Sequence, residues 1–372
     1  MRRGTAFVAL LLLGALASRE VAAGPAIVVE VSNSKVLFSE EADSLWHPAS
    51  LTKMMTAYLT FEALKAKKID LKSKLTCSEA AHVQPPSKIG LAVGRQMSVH
   101  LGLQALIIKS ANDVAVMLAE TVAGSEAAFV QQMNAKAKQL GMDRTVFVNA
   151  NGLPAAAQVT TARDLAKLAR AIINDFPEYA HYWQKPEMRL GERRLVTHNG
   201  LLQSFPGADG MKTGFTCDSG FNLVATASRD GRRIIAVVLG ENSSAERNIR
   251  AASLLEHGFQ QTGWKQLFSS TTLDNMPLAE AAQVRSVRND VVSWGCKERK
   301  ARVAKKKAAA KKRIAAKKKG PQAAPEPKPE TVTIDVEPSG TDAAESGDGG
   351  PATVQLRGTV PPPAPAAFQQ QQ

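Results

Sequence analysis

Hydrophobic residues recur with two different periods along the first two thirds of the chain, and each period occupies its own segments. Near the amino end, Ala26 to Val31 is a β-branched run and Lys35 to Phe38 alternates across a short polar turn, which predicts a hairpin. The same alternation returns much later in the chain. It predicts further strands over 210–214, 222–228 and 233–239.

Apolar residues at helical spacing fill most of the interval between these strands. They predict helices over 50–67, 101–108, 112–122, 126–140 and 161–174, and a closing helix over 245–260. Strands at both ends and helices in the middle indicate an α/β fold of the α+β type. We expect an antiparallel sheet formed from both ends of the domain, flanked by helices, with an inserted all-helical lobe. A cleft between lobe and sheet is a natural ligand site.

Three other regions surround this domain, which we place at 24–263. Arg2 and Arg3, a short apolar run and the small residues before Gly24 predict a signal peptide over 1–23, with an uncleaved anchor as the alternative. Residues 264–296 form a short extension with no clear pattern. Residues 297–372 are of low complexity, first basic and then rich in proline, and we expect this tail to be disordered.

The net charge of +13 is concentrated in that tail. Residues 297–319 contain thirteen Lys and Arg against one acid, Glu298. The basic segment is either a solvated spacer or an electrostatic contact for anionic wall polymer or membrane head groups. If the chain is exported, as the signal peptide predicts, nucleic acid is not its partner. The expected location is the periplasm, either free or peripheral to the inner membrane.

The cysteines and histidines argue against metal chemistry. Cys77, Cys217 and Cys296 are the only cysteines of the chain, and no two have the spacing of a zinc pair. An odd number permits one disulfide or none, and the spacing does not select a pair. Cys217 is interpreted as a small buried residue. No H-E-x-x-H or comparable spacing occurs, so we expect no metal and no cofactor.

The first element with clear chemistry is Ser50-Leu51-Thr52-Lys53 at the start of a predicted helix. Residues three apart share a helix face, so Lys53 projects beside the Ser50 hydroxyl. A serine becomes a nucleophile when a base takes its proton, and a lysine can be that base if burial and a nearby cation lower its pKa. By itself this four-residue pattern is common in helices.

Two further elements complete the set. Ser110-Ala111-Asn112 places a hydroxyl and an amide at a bend between helices, although helix capping is the better explanation of the pair when it stands alone. Lys212-Thr213-Gly214 lies on a predicted strand. Its cation and hydroxyl suit a free carboxylate, and the glycine allows a substrate backbone to lie close.

The three elements, in this order, resemble the S-x-x-K, S-D-N and K-T-G motifs of penicillin-binding proteins and class A β-lactamases. Over about 25–259 the chain is similar to the low-molecular-mass penicillin-binding proteins, the serine-type D-alanyl-D-alanine carboxypeptidases. That resemblance implies hydrolysis of peptidoglycan stem peptides ending in D-Ala-D-Ala, through an acyl-serine. It also implies that β-lactams act as covalent inhibitors.

The resemblance also implies a role for each matching residue. Ser50 is the expected nucleophile, Lys53 its general base and Ser110 a proton relay. Asn112 is expected to hold the peptide amide, and the terminal carboxylate to meet a second group of residues. The binding residues implied in this way are Asn112, Lys212, Thr213, Gly214, Phe215 and Arg247. The backbone N–H groups of Ser50 and Phe215 are the expected oxyanion hole.

Two positions depart from the common family pattern, namely Ala111 in place of Gly and Phe215 in place of His. Three alternatives stay open at this point. A β-lactamase needs a deacylating carboxylate, for which Glu178 and Glu187 lie in roughly the right interval. A D,D-endopeptidase uses the same residues on crosslinked peptides. A wall-binding module without activity retains the fold alone.

Overall fold

The computed structural model describes residues 24–261, 271–280, 283–287 and 296. The predicted signal peptide and the predicted disordered tail lie outside the described residues. Within them, no helix combines the length and the apolar character needed to cross a bilayer.

A five-stranded antiparallel sheet joins the two ends of the domain, as the alternating segments predict. The strands of the whole structure, in chain order, are β1 (Ala26–Glu30), β2 (Val36–Glu40), β3 (Lys74–Thr76), β4 (Gln96–Ser98), β5 (Glu187–Leu190), β6 (Arg193–Val196), β7 (Ala208–Thr216), β8 (Gly220–Arg229) and β9 (Arg232–Glu241). The sheet has the order β2-β1-β9-β8-β7, so the first hairpin pairs with the last strand of the chain. Strand β7 is therefore an edge strand, and one side of its backbone is open to a ligand.

The six predicted helices are present with boundaries close to those expected. The helices in chain order are α1 (Lys53–Lys65), α2 (Glu79–His82), α3 (Val99–Gln104), α4 (Asn112–Ala123), α5 (Glu126–Gln139), α6 (Ala162–Asp175), α7 (Ala180–Gln184), α8 (Leu201–Ser204) and α9 (Ser244–Gln260). Short 3₁₀ turns cover Ala49–Thr52 and Pro177–Tyr179, and a π-helical turn covers Ala105–Lys109. Serine or threonine side chains cap five of the helices, for example Thr161 on α6 and Ser243 on α9.

The inserted lobe is mainly helical rather than all helical. Strands β3 and β4 form one two-stranded sheet within it, and β5 and β6 form another. Each is only three or four residues long, so the alternation was too short to separate from a loop. The predicted helix over 101–108 also divides, because its second half is the π-helical turn that ends at Ser110.

The sheet lies between two apolar cores, and strand β9 contributes side chains to both. Its residues Ile235, Val237 and Leu239 pack with the helical lobe. The intervening Ile234, Ala236 and Val238 pack with Leu254 and Leu255 of α9 on the opposite face. Successive side chains of a strand point to opposite faces, so a continuous apolar run is what a strand covered on both sides requires.

Residues 271–280 and 283–287, here called the return segment, pack back onto this domain. Thr272 bridges to Lys35 beside β2, and the carbonyls of Met276 and Pro277 accept hydrogen bonds from Arg163 at 2.7 and 2.9 Å. Arg163 itself is paired with Asp43 at 2.6 Å, and both side chains are buried. The described residues of the extension that the sequence left ambiguous thus pack against the domain.

Cys217 forms a disulfide with Cys296 across a sequence separation of 79 residues. Cys217, interpreted from the sequence as a small buried residue, is thus half-buried and disulfide-bonded. The remaining cysteine, Cys77, is free and buried. Val287 of the return segment donates its backbone N–H to the Asp218 carbonyl, so a later part of the chain also contacts the residue beside Cys217. A contact of that range has no local sequence pattern.

Candidate active site

The Ser50 hydroxyl is presented by a tight turn on which two neighbouring backbones pack. Ala49, immediately before it, has a φ of 49°, a conformation that residues with side chains seldom adopt. Gly152 (φ +82°) packs directly on this turn, because a Cβ on it would lie 1.8 Å from the Ala49 carbonyl oxygen. Gly214 of β7 approaches from the other side, where a Cβ would lie 3.2 Å from the Ser50 nitrogen. The turn therefore accepts only glycine at both contacts without rearrangement.

Lys53 lies beneath Ser50 with its ammonium group fully enclosed. It is 1% exposed, and its Nζ lies 3.0 Å from Ser50 Oγ, 2.7 Å from Asn112 Oδ1 and 2.5 Å from the Asn151 carbonyl oxygen. A charged lysine donates to all three. A neutral lysine keeps the bonds to Asn112 and Asn151 and turns its lone pair to the Ser50 hydroxyl. The contacts thus suit either protonation state.

A second serine and lysine lie on the other side of the site. Ser110 adopts the left-handed conformation (φ 59°) where the π-helical turn ends, which directs its hydroxyl away from the helix. Lys212 of β7 donates to Ser110 Oγ at 2.9 Å and to the Thr213 carbonyl at 3.0 Å. Lys212 is 2% exposed. Two buried lysines therefore each contact one serine hydroxyl.

Asn112 and the loop over 84–90 brace each other above the site. The Asn112 amide donates to the Pro85 carbonyl at 2.8 Å, and its backbone N–H donates to the Ser87 carbonyl at 2.7 Å. The buried carboxylate of Asp113 accepts from the backbone of Ile89 and Gly90 at 3.0 and 2.8 Å. The amide oxygen of Asn112 is thereby fixed on Lys53.

These groups border a groove of about 1,040 Å³. Its walls come from the Ser50 turn, the loop over 84–90, the segment over 151–154, the edge of β7 and the start of α9. The lining residues predicted from the sequence are Ser50, Ser110, Asn112, Thr213, Gly214, Phe215 and Arg247. Lys53 and Lys212 lie immediately behind the wall, in contact with the two serines. All the predicted site residues therefore converge on a single groove.

Arg247 occupies one end of this groove. Its guanidinium is held by the His198 carbonyl at 3.0 Å and by Asn248 Oδ1 at 2.8 Å. The residue is 3% exposed, and within the described residues its hydrogen-bond partners are an amide oxygen and a carbonyl rather than an acid. With Lys212 and Thr213 nearby, this end of the groove is cationic and suits a carboxylate.

Burial makes both lysines unusually acidic. Desolvation and the neighbouring Lys212 ammonium lower the pKa of Lys53 well below its ordinary value, against an opposing influence of Asp113. Desolvation and Arg247 lower the pKa of Lys212 to about 7. A lysine that loses its proton near neutral pH can act as a general base. The arrangement thus combines a poised nucleophile, a base and a cationic anchor.

Two contributors were not identified from the sequence. The Asn151 carbonyl is a direct partner of Lys53, and Gly152 sets the position of the Ser50 turn. Both belong to the run Asn149-Ala150-Asn151-Gly152, whose asparagines and glycine are typical turn residues. That composition was a signal for a tight turn, although it carried no information about what the turn would contact.

The chain was compared with protein families, curated proteins and solved structures. Residues 14–243 match the peptidase S11 family, described as D-alanyl-D-alanine carboxypeptidase. The chain is 38% identical over 270 residues to D-alanyl-D-alanine carboxypeptidase DacC of Escherichia coli, covering 69% of this chain and 68% of that protein. It is 36% identical over 241 residues to D-alanyl-D-alanine carboxypeptidase DacF of Bacillus subtilis, covering 63% of this chain and 62% of that protein.

A solved structure supports the same relationship. Penicillin-binding protein D2 of Listeria monocytogenes, in its cefotaxime-bound form, superposes with a TM-score of 0.59 and 35% identity. The match covers 64% of this chain and 97% of that chain. The match to DacF leaves more than a third of that relative's length uncovered.

Proposed function

Because the chain belongs to the D-alanyl-D-alanine carboxypeptidase family, we propose that it removes the terminal D-alanine from peptidoglycan stem peptides through an acyl-enzyme on Ser50. The observation that carries this proposal is the convergence of Ser50, Lys53, Ser110 and Lys212, with each serine hydroxyl within 3.0 Å of a lysine amine. Both lysines have a lowered pKa, which is the condition for a base at neutral pH.

In the acylation step, neutral Lys53 takes the proton of Ser50 while Oγ attacks the carbonyl carbon between the two D-alanines. The oxygen of that carbonyl becomes negative and is stabilised by the backbone N–H groups of Ser50 and Phe215. Ser110 relays the proton that Lys53 removed from Ser50 to the leaving amine, the bond to the terminal D-alanine breaks, and Lys53 is neutral again. Water then attacks the acyl-serine while Lys53 takes one of its protons and returns it to Ser50 Oγ, which restores Ser50 and releases the shortened peptide.

Substrate recognition follows from the two ends of the groove. Lys212, Thr213 and Arg247 bind the terminal carboxylate at the cationic end, where the guanidinium of Arg247 is held by the His198 carbonyl and Asn248 Oδ1 and not by an acid of the described chain. Asn112 holds the peptide amide on the other side of the scissile bond. A β-lactam enters the same groove and acylates Ser50, and water displaces it slowly.

Neither of the carboxylates considered for a β-lactamase supports that alternative. Glu187 pairs with Arg194 on the β5–β6 hairpin, and neither it nor Glu178 is among the residues that line the groove. No observation favours an endopeptidase over a carboxypeptidase, since both reactions use the same groups. We therefore retain the carboxypeptidase as the single proposed activity.

We further propose that the protein acts outside the cytoplasm and that its basic tail binds anionic wall polymer or lipid. The Cys217–Cys296 disulfide supports export, because such bonds persist in oxidising compartments. The charge of residues 297–319 supports the tail contact. Binding of the intact chain to isolated sacculi or anionic vesicles should fall steeply with salt. Equal binding by a chain truncated after Cys296 would contradict the tail proposal.

Mass spectrometry after penicillin treatment tests the proposed function. The adduct should lie on the peptide that contains Ser50, and the Ser50→Ala variant should carry none. Wild-type protein should also release D-alanine from a pentapeptide ending in D-Ala-D-Ala. An adduct at another residue, or no release of D-alanine by a protein that binds penicillin, would overturn the assignment.

A further inference from the structure

One wall of the groove is held by a segment that lies beyond the part of the chain matched by the family, which ends at residue 243. This wall is the turn over 216–219, of which Thr216, Cys217 and Asp218 line the groove. The turn is closed internally, since the Thr216 backbone N–H donates to Ser219 Oγ at 3.0 Å. Further contacts to the turn come from the carboxyl-terminal part of the chain and from Trp46.

Three contacts attach the turn to that later part of the chain. Cys217 is bonded to Cys296, and the Val287 backbone N–H donates to the Asp218 carbonyl at 3.2 Å. Val287 also covers Gly220 (φ +63°), where a Cβ would lie 3.0 Å from its methyl group. From the domain side, Trp46 Nε1 donates to the Ser219 carbonyl at 2.9 Å. The turn is therefore held between the domain and the return segment.

The opposite end of the return segment is anchored in the protein interior. Arg163 donates to the carbonyls of Met276 and Pro277, and Asp43 accepts from the Ala279 backbone N–H at 3.2 Å. Arg163 and Asp43 form the buried pair described above. A segment fixed at both ends restrains the turn more than a free terminus would, because the chain entropy of the restraint is already lost on folding.

The position of the turn along the groove identifies the part of the substrate that meets it. The carboxylate-binding residues Lys212 and Thr213 come first along β7, and Gly214 packs on the Ser50 turn. The chain then continues through Phe215 to the turn over 216–219. A peptide with its terminal carboxylate near Thr213 and its scissile carbonyl at Ser50 must extend its amino-terminal residues towards Thr216 and Asp218.

We propose that the Cys217–Cys296 disulfide positions this wall for the upstream residues of the stem peptide, and so selects long substrates over short ones. The inference rests on the proposed function for the direction of the bound peptide. Cys217 and Cys296 act as positioning residues, since neither reacts with the substrate. A wall that is already fixed loses no conformational entropy when the substrate binds. The affinity for the substrate residues that contact this wall is therefore higher.

Two substrates with the same reacting end distinguish this role from a general structural one. The short substrate is N-acetyl-D-Ala-D-Ala, and the long one is a stem pentapeptide ending in D-Ala-D-Ala. In the full chain, the Cys217→Ser/Cys296→Ser double variant should raise KM for the pentapeptide by about tenfold. We expect kcat for both substrates, and KM for the short substrate, to stay within about twofold of wild type. Cys77→Ser, which removes the buried free thiol, is the matched control.

Reduction in place provides a second test that does not depend on folding of the variant. A dithiol reduces the bond in the Cys77→Ser chain, giving two cysteine thiols and one disulfide of the reagent. KM for the pentapeptide should rise on reduction and return after reoxidation. Equal changes for both substrates, or no change on breaking the bond, would overturn the inference.

Binding to the Ser50→Ala chain separates this inference from the proposed function. The dissociation constant of the pentapeptide, measured by calorimetry, requires no turnover. It should increase about tenfold when the two cysteines are also replaced. Failure of the wild-type chain to hydrolyse either peptide, with this difference intact, would count against the proposed function alone. Identical dissociation constants for the Ser50→Ala chain with and without the two cysteines would count against the proposed role of the disulfide alone.

Discussion

The Nζ of Lys212 donates to Ser110 Oγ at 2.9 Å, and this contact repeats across the groove the contact that Lys53 makes with Ser50 at 3.0 Å. The two lysines differ in their surroundings. Lys53 has two further oxygen acceptors from Asn112 and Asn151, whereas Lys212 lies near the cationic Arg247. Lys53 is thus placed to exchange a proton with the Ser50 nucleophile. Lys212 is placed to attract a carboxylate by its charge and to take part in proton relay through Ser110.

Replacing Lys53 by arginine should abolish acylation while keeping a positive charge in place. Arginine does not lose its proton in the accessible pH range, so Ser50 has no base. General-base catalysis contributes on the order of 10²–10⁴-fold, and we expect a loss of that size in the acylation rate. Labelling by fluorescent penicillin in a single turnover measures it. Retention of more than about a tenth of the wild-type rate would show that another group takes the proton.

The acylation rate should have a bell-shaped dependence on pH. On the acidic side it should rise as Lys53 loses its proton, at a pH well below the ordinary lysine range. On the basic side it should fall through about pH 7, as Lys212 becomes neutral and loses its attraction for the substrate carboxylate. The measurement is kcat/KM for the pentapeptide between pH 5 and 9. A rate that climbs without a maximum through that interval would contradict the role of Lys212.

The free energy of unfolding should also depend on pH through the titration of Lys212. The pKa of Lys212 is lowered on folding, so between about pH 7 and the ordinary lysine pKa the unfolded chain binds more protons than the folded one. The free energy of unfolding therefore rises with pH over that interval. Urea denaturation of wild type and Lys212→Met at several pH values measures the effect. The variant should have the shallower slope, and parallel slopes would refute the burial of a neutral lysine.

Gly152→Ala should damage both stability and activity, because a Cβ there meets the Ala49 carbonyl at 1.8 Å. Gly124→Ala is the control, with nearly the same φ (+79° against +82°) and nothing within 4 Å of its Cβ. The control should lose about 1 kcal/mol of unfolding free energy from backbone strain and keep its acylation rate. The Gly152 variant should lose more, and its acylation rate should fall at least about tenfold. Equal behaviour of the two variants would mean that the Ser50 turn tolerates displacement.

Arg163→Met should destabilise the domain, because it leaves the Asp43 carboxylate buried without its partner. Breaking a buried pair in this way costs about 3–5 kcal/mol. Arg194→Ala removes an exposed pair with Glu187 and should cost less than about 1 kcal/mol. Thermal denaturation of both variants gives the comparison. A small loss for Arg163→Met would indicate that Asp43 reaches water when the arginine is removed.

The sequence predicted those parts of the fold and site that depend on local spacing. The i, i+3 relation of Ser50 and Lys53 and the strand at Lys212 follow from helix and strand periods, and the structure brings all three together. Ala49 has a positive φ, and Gly152 packs on the Ala49 carbonyl although the two residues lie about a hundred positions apart in the chain. Such contacts depend on how the lobe packs on the sheet, which no short window of sequence contains.

The disulfide, too, depends on packing between segments far apart in the sequence. Cys217 and Cys296 are separated by 79 residues, and the return segment between them is held to the domain by contacts that include those of Arg163 and Asp43. With three cysteines in the chain, composition left the pairing open. The short hairpin of β5 and β6 was missed for a different reason, since four-residue strands fall below the length at which alternation is diagnostic.

The bond between Cys217 and Cys296 also closes a covalent ring that contains β8, β9 and α9. A protease that cuts the backbone once inside this ring leaves both pieces joined through sulfur. The groove wall and α9 then stay attached, and separation requires a reductant as well as the cut. A nicked molecule would consequently migrate as one species until thiols are added.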